Sequence, residues 1–126
     1  MSDIQTKAEI QVRRIGSSFE KAGYKVEYVV TEFPAEYFSD GDLMLTAKTV
    51  VHAHVSKDDL FTDRYSFAFC TYHPATGKRA STRFVSCDYT RAFRPKRGKR
   101  SVRMSLKELR SHVSVELYLA TTPREA

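Results

Sequence analysis

The sequence predicts an α+β fold: a long N-terminal amphipathic helix packed on a curved, mainly antiparallel sheet of about five strands, with a short helix before the last strand. Three observations carry this. Apolar residues recur at helical spacing over residues 3–22, period-two alternation recurs in the segments that follow, and a Pro/Gly-bounded turn joins two long alternating runs. A helix with one apolar stripe and a sheet with one apolar face bury both by stacking.

The helix is expected over residues 3–22. Ser2 is placed to cap it, and Asp3 suits its positive N-terminal end. Ile4, Ala8, Val12, Ile15, Phe19 and Ala22 fall at steps of three or four, which makes one apolar stripe. Gly23 supplies the stop. Lys7, Arg13, Arg14 and Lys21 share the remaining surface with Glu9 and Glu20, so the helix is not a one-sided basic rod.

Tyr24, Val26, Tyr28 and Val30 then alternate with Lys25 and Glu27, which reads as a strand ended by Pro34. Residues 34–42 read as loop or a single helical turn, with Asp40-Gly41 marking a turn. A long strand is expected over 43–56. One face carries Leu43, Leu45, Ala47, Thr49, Val51, Ala53 and Val55. The more polar face carries Lys48, His52, His54 and Ser56. Lys57-Asp58-Asp59 is read as a turn.

The clearest hairpin runs RYSFAFCTYH, then PATG, then KRASTRFVSCDYT. Pro74 presets φ for the turn and Gly77 takes its positive-φ position. In one register Tyr65, Phe67 and Phe69 share a face with Arg83, Val85, Cys87 and Tyr89. In the other they share it with Thr82, Phe84 and Ser86. The first collects more apolar area and is preferred. Either register puts Cys70 opposite Ser81 or Thr82 and Cys87 opposite Arg64 or Tyr65, so the two thiols are separate. Ser105 and Glu108 have capping-box spacing, which predicts a short helix over 105–110. Val113, Val115, Leu117 and Leu119 alternate with polar neighbours and predict the last strand, over 112–121; residues 121–126 are a tail.

At 126 residues, 41% hydrophobic and 12% aromatic, the chain fits one domain, 1–126, with enough apolar mass for a core without staples. That composition argues against a disordered chain. No run of eighteen apolar residues is present, and no basic segment followed by an apolar run opens the chain, so neither a membrane span nor a secretory signal is expected. Cys70 and Cys87 are too few for a disulfide framework or an all-cysteine zinc site. The simplest location is cytoplasmic, with the nucleus open for a eukaryotic or viral source. No cofactor is expected.

Charge is the feature that points to function. Residues 1–77 hold 8 Lys/Arg against 11 Asp/Glu, and residues 78–126 hold 13 against 4. Seven of the fourteen residues from Thr90 to Arg103 are Lys or Arg, and none is acidic. Phosphate binding needs long cationic side chains on a backbone free to follow a groove: Arg gives bidentate contacts and Lys a mobile point charge. Arg91, Arg94, Lys96, Arg97, Lys99, Arg100 and Arg103 supply both, in a loop of about 90–104 that Pro95 and Gly98 keep irregular. Phe93 is suited to stack on a base, and Arg83 extends the patch. Arg79, Lys107 and Arg110 lie within reach of it in sequence.

The expectation is a non-enzymatic nucleic-acid-binding protein, with a module that docks an acidic protein partner as the alternative. PKRGKR also has the composition of a nuclear-localisation segment. A small basic ribonuclease is a third reading. It would use His52 and His54, which share a strand face, with Glu116 and Arg83. Adding His73 or His112 to the pair would make a metal site conceivable. Exposed histidines on a polar strand face are the simpler account, so no catalytic and no metal-ligating residue is assigned. Tyr65, Phe67 and Phe69 are read as core beneath the helix rather than as a base-stacking platform.

Overall fold

The computed structural model describes residues 6–56, 64–74, 79–90 and 101–121. In chain order the elements are helix α1 (Lys7–Lys21), strands β1 (Lys25–Phe33), β2 (Glu36–Tyr37), β3 (Leu43–Leu45), β4 (Ala47–Ser56), β5 (Arg64–His73), β6 (Ser81–Thr90) and β7 (Ser101–Arg103), and helix α2 (Leu106–Thr121). The main sheet has the order β1-β4-β5-β6-β7 with every pair antiparallel, while β2 and β3 pair only with each other. The arrangement is α+β, with α1 packed on a five-stranded sheet and α2 following the last strand.

α1 starts later than the stripe suggested. Thr6 is extended (φ −70°, ψ 159°) and its side chain accepts the Glu9 N–H, which makes Thr6 the N-cap and Lys7 the first helical residue. Ser2, Asp3 and Ile4 lie outside the described residues. The remaining stripe residues, Ala8, Val12, Ile15, Phe19 and Ala22, are all buried. Gly23 ends the helix at φ 93°. Its N–H donates to Glu20 O and the Tyr24 N–H to Phe19 O, both at 3.0 Å, while the Phe19 and Tyr24 rings meet edge to face at 5.3 Å. That combination is a Schellman stop with its apolar contact.

The strand expected over 43–56 is two strands, broken at Thr46, and residues 36–45 form a small hairpin instead of a loop. Asp40 and Gly41 do make its turn: Gly41 has φ 92° and the Asp42 N–H donates to Asp40 Oδ1 at 3.0 Å.

The β5–β6 ladder uses both candidate registers. Tyr65 pairs with Tyr89 and Phe67 with Cys87, as preferred, but beyond Ala68 the register shifts and Phe69 pairs with Phe84. Val85 is the extra residue, half exposed at 50%. The bulge puts Phe84 rather than Val85 on the core face, and the Phe69 and Phe84 rings meet at 5.5 Å. Cys70 therefore pairs with Arg83, and Cys87 with Phe67, correcting the expected partners. The Pro74–Gly77 turn itself lies largely outside the described residues.

The last strand expected over 112–121 is a helix. Ser105 and Glu108 form the reciprocal capping box, both bonds at 3.1 Å, and the helix continues unbroken to Thr121. The physical reason is that Leu106, Leu109, Val113 and Leu117 also fit the helical period, and no Gly or Pro interrupts 105–121. Leu109 and Val113 are buried in the shared core. Both helices lie on the same face of the sheet. Phe19 packs on Tyr65 (4.7 Å) and Phe67 (6.3 Å), and Tyr65, Phe67 and Phe69 are 0–4% exposed. They are core, as read from the sequence.

Candidate nucleic-acid interface

The sheet has a second face that neither helix covers. Its side chains follow from the register. Glu27, His54, Ser66, Asp88 and Arg103 form one rung across all five strands, and Val29, His52, Ala68 and Ser86 form the next. Thr31, Val50, Cys70 and Arg83 form a third. Small side chains occupy the centre because Tyr65, Phe67 and Phe69 of β5 point the other way; Phe33 and Tyr72 share a rung with Lys48 at one end of this face.

The two ends of the basic segment lie on the last two strands of the sheet, β6 and β7. Thr90, the last residue of β6, pairs with Ser101, the first of β7, and also with Arg64 of β5. Thr90 and Ser101, the described residues on either side of 91–100, thus share one rung. Arg91, Phe93, Arg94, Lys96, Arg97, Lys99 and Arg100 lie outside the described residues. Arg83 and Arg103 are described, and both are exposed. Among the described residues neither has a carboxylate within ion-pairing distance, although Asp88 occupies the strand position beside Arg103. Along β6 the rungs of Arg103 and Arg83 are about 14 Å apart at the usual strand rise. Arg64 was not singled out from the sequence. Extending the Tyr65–Tyr89 register by one residue places it against Thr90, which was the available signal.

Lys107 and Arg110 belong to a different surface. They lie on exposed turns of α2, on the helix side of the sheet, and flank a shallow groove with Leu106, Ser111, Ser114 and Val115. Arg79, just before β6, is also exposed.

The four histidines divide between the two faces. On the open face the His52 and His54 rings stack with centroids 6.2 Å apart and planes at 6°, and His54 Nδ1 lies 3.1 Å from Ser66 Oγ. Partial burial, then the nearby His54, hold the His52 pKa below its ordinary value. On the helix side, His73 Nε2 is 2.8 Å from Thr49 Oγ1. There too His112 Nδ1 is 3.0 Å from the Tyr65 hydroxyl, with its ring against Tyr65 and Tyr89. Neither can join the His52–His54 pair through the sheet. Glu116 is on α2, also across the sheet, so the acid–base set of His52, His54 and Glu116 does not assemble. Among the described residues no three metal-ligating side chains cluster.

Both cysteines are buried and unpaired. Burial, with Asp88 and Glu108 adding to it, pushes the Cys87 thiol up to about 12, the opposite of nucleophile activation. Among the described residues no helix is long and apolar enough to cross a membrane.

No protein-family model matches the chain, and no curated protein or solved structure is similar enough to lend it a function.

Proposed function

We propose that this is a small non-enzymatic protein that binds nucleic acid through the phosphates, with the segment of about 90–104 as its main contact. The observation that carries the reading is the charge itself: seven cations, Arg103 among them, and no acid between Thr90 and Arg103, with Arg83 and Arg103 exposed on the last two strands of the sheet. Neutralising phosphates releases condensed counterions, so affinity would fall steeply with salt and depend little on sequence. Phe93 supplies the candidate stacking contact, since Tyr65, Phe67 and Phe69 of β5 are buried in the core. The cytoplasm, or the nucleus in a eukaryotic or viral source, would be the place of action.

The test is a titration of nuclease-treated protein against a labelled random single strand and a duplex of equal length at several salt concentrations. Tight, salt-sensitive binding is expected, with a shallower salt slope when Arg97, Lys99 and Arg100 are replaced by Ala. Each lost phosphate contact lowers the slope by about 0.9 for duplex and about 0.7 for single strand. No binding at low salt, or an unchanged slope in the triple variant, overturns the reading.

The alternative, a module that grips an acidic protein partner, is favoured by one feature: the α2 groove sets Lys107 and Arg110 beside the apolar Leu106 and Val115. A partner retained after nuclease treatment and lost on Lys107→Ala/Arg110→Ala substitution would support it.

A further inference from the structure

Among the described residues, the nine-residue strand β1 pairs only with β4 and so lies at the edge of the sheet. The outer side of an edge strand is a template for another strand. The hairpin that follows it, β2–β3, continues the β1–β4 pair beyond Phe33 and Lys48 and pairs with no other described strand. Its apolar side chains face solvent all the same. Among the described residues, eight of the fourteen exposed large hydrophobics lie between Val29 and Leu45, each 42–55% exposed. Eight large side chains at about half exposure present several hundred Å² of surface, on the order of the 800 Å² that each partner contributes to a stable interface.

We propose that this edge is the dimer interface of the protein, formed by two copies of β1 paired antiparallel about a two-fold axis at Val29. The strand itself selects this occupant. β1 runs from Lys25 to Phe33, so its middle residue is Val29, and full-length self-pairing sets Val29 against the partner's Val29. Every pair in that register has matching parity, which keeps the core face of one sheet continuous with the core face of the other. Tyr28 then meets the partner's Val30 on the helix side. On the open side Lys25 meets the partner's Phe33 and Glu27 the partner's Thr31, so no like charges are opposed.

The opposite edge of the sheet offers no comparable match. β7 is three residues long, so head-to-tail pairing of β1 with β7 leaves most of β1 open, whereas pairing with itself closes it. Each β2–β3 arm leaves β1 at Phe33 and so emerges beside the start of the partner's β1, where its apolar side chains gain a surface to cover.

The experiment uses the full chain and does not depend on nucleic acid. Sedimentation of the nuclease-treated protein over a wide concentration range is expected to show a monomer–dimer equilibrium. Val29→Lys, at a position already 46% exposed, sets two ammonium groups on the axis and is expected to weaken the dimer at least about a hundredfold while leaving the circular dichroism spectrum unchanged. Val29→Cys is expected to form a disulfide-linked dimer on mild oxidation, because directly opposed strand residues have Cα atoms about 4.5–5.5 Å apart. Thr31→Cys, two residues off the axis, is not. A chain that stays monomeric at the highest concentration overturns the proposal. So does a dimer that ignores Val29→Lys, or one that cross-links at Thr31 and not at Val29.

Discussion

Gly16 of α1 lies directly beneath the ring of Tyr28 of β1, so close that a Cβ at position 16 would overlap the tyrosine hydroxyl. The same ring carries the Arg13 guanidinium 4.5 Å above its centroid, and its hydroxyl donates to the Glu20 carboxylate at 3.3 Å. Glycine inside a helix is unfavourable by about 1 kcal/mol relative to alanine, and here it admits an edge-strand side chain onto the helix. This contact ties β1 to α1 at the position where the helix crosses it.

Gly16→Ala is therefore expected to destabilise the fold by about 1–2 kcal/mol, because overpacking outweighs the gain in helix propensity. In a Tyr28→Ala background the sign reverses and Gly16→Ala stabilises. Urea denaturation of the four proteins in this cycle checks it. A stabilising Gly16→Ala in the parent chain would mean that Tyr28 moves aside freely.

Thr71 links the sheet to the start of α1. Its Oγ1 accepts the Ala8 N–H at 2.9 Å and lies 2.9 Å from Thr82 Oγ1, with Thr71 only 3% exposed. This satisfies one of the N–H groups that every helix start leaves without a partner. Thr71→Val keeps the shape and removes the acceptor, with an expected cost of about 1–3 kcal/mol. Thr71→Ser is expected to retain most of the stability, and Thr82→Val to cost less than Thr71→Val. Equal stability of Thr71→Val and the parent would show that the Ala8 bond contributes nothing.

Cys87 predicts an alkaline limit. Its thiol is held up to about 12 in the folded chain, against about 8.5 for an exposed thiol. Between those values the unfolded chain has released a proton that the folded chain keeps. Stability from this group is thus complete below about pH 8.5 and is lost as pH rises through that window. Urea midpoints for the parent should fall more steeply above pH 9 than those of Cys87→Ala. A thiol reagent at neutral pH should label Cys87 only on unfolding.

Val85 is the surplus residue of the bulge, so deleting it is expected to leave Phe84 opposite Phe69 in a regular ladder and to preserve folding. Deleting Asp88 instead puts Tyr89 out of phase with Cys87 and should abolish the native core. Thermal unfolding followed by circular dichroism distinguishes the two. Comparable loss of structure in both would show that the bulge is required.

If nucleic acid lies along the open face beside the basic segment, Arg83→Ala and Arg103→Ala each flatten the salt dependence of binding, while Arg110→Ala on the helix side does not. Equal effects at all three positions would place the contact elsewhere.

Much of this protein was legible in its sequence because the deciding signals are local. The α1 stripe, the Gly23 stop, the Ser105–Glu108 capping box, the alternation of β1 and β5, and the charge run from Thr90 to Arg103 each fall within a few residues of chain, where period and capping chemistry suffice. What the tertiary structure decided was non-local. Residues 112–121 satisfy both the strand and the helix period, and only burial of Leu109 and Val113 against the core selected the helix. The β5–β6 register depended on a bulge that no short window reveals, because the ladder follows one alignment at Tyr65–Tyr89 and the other at Phe69–Phe84. The division of the histidines between two faces, the position of Glu116 across the sheet from His52 and His54, and the place of β1 at the end of the strand order all follow from which strands become neighbours. That choice is set by how the apolar faces close over one another, not by any segment alone.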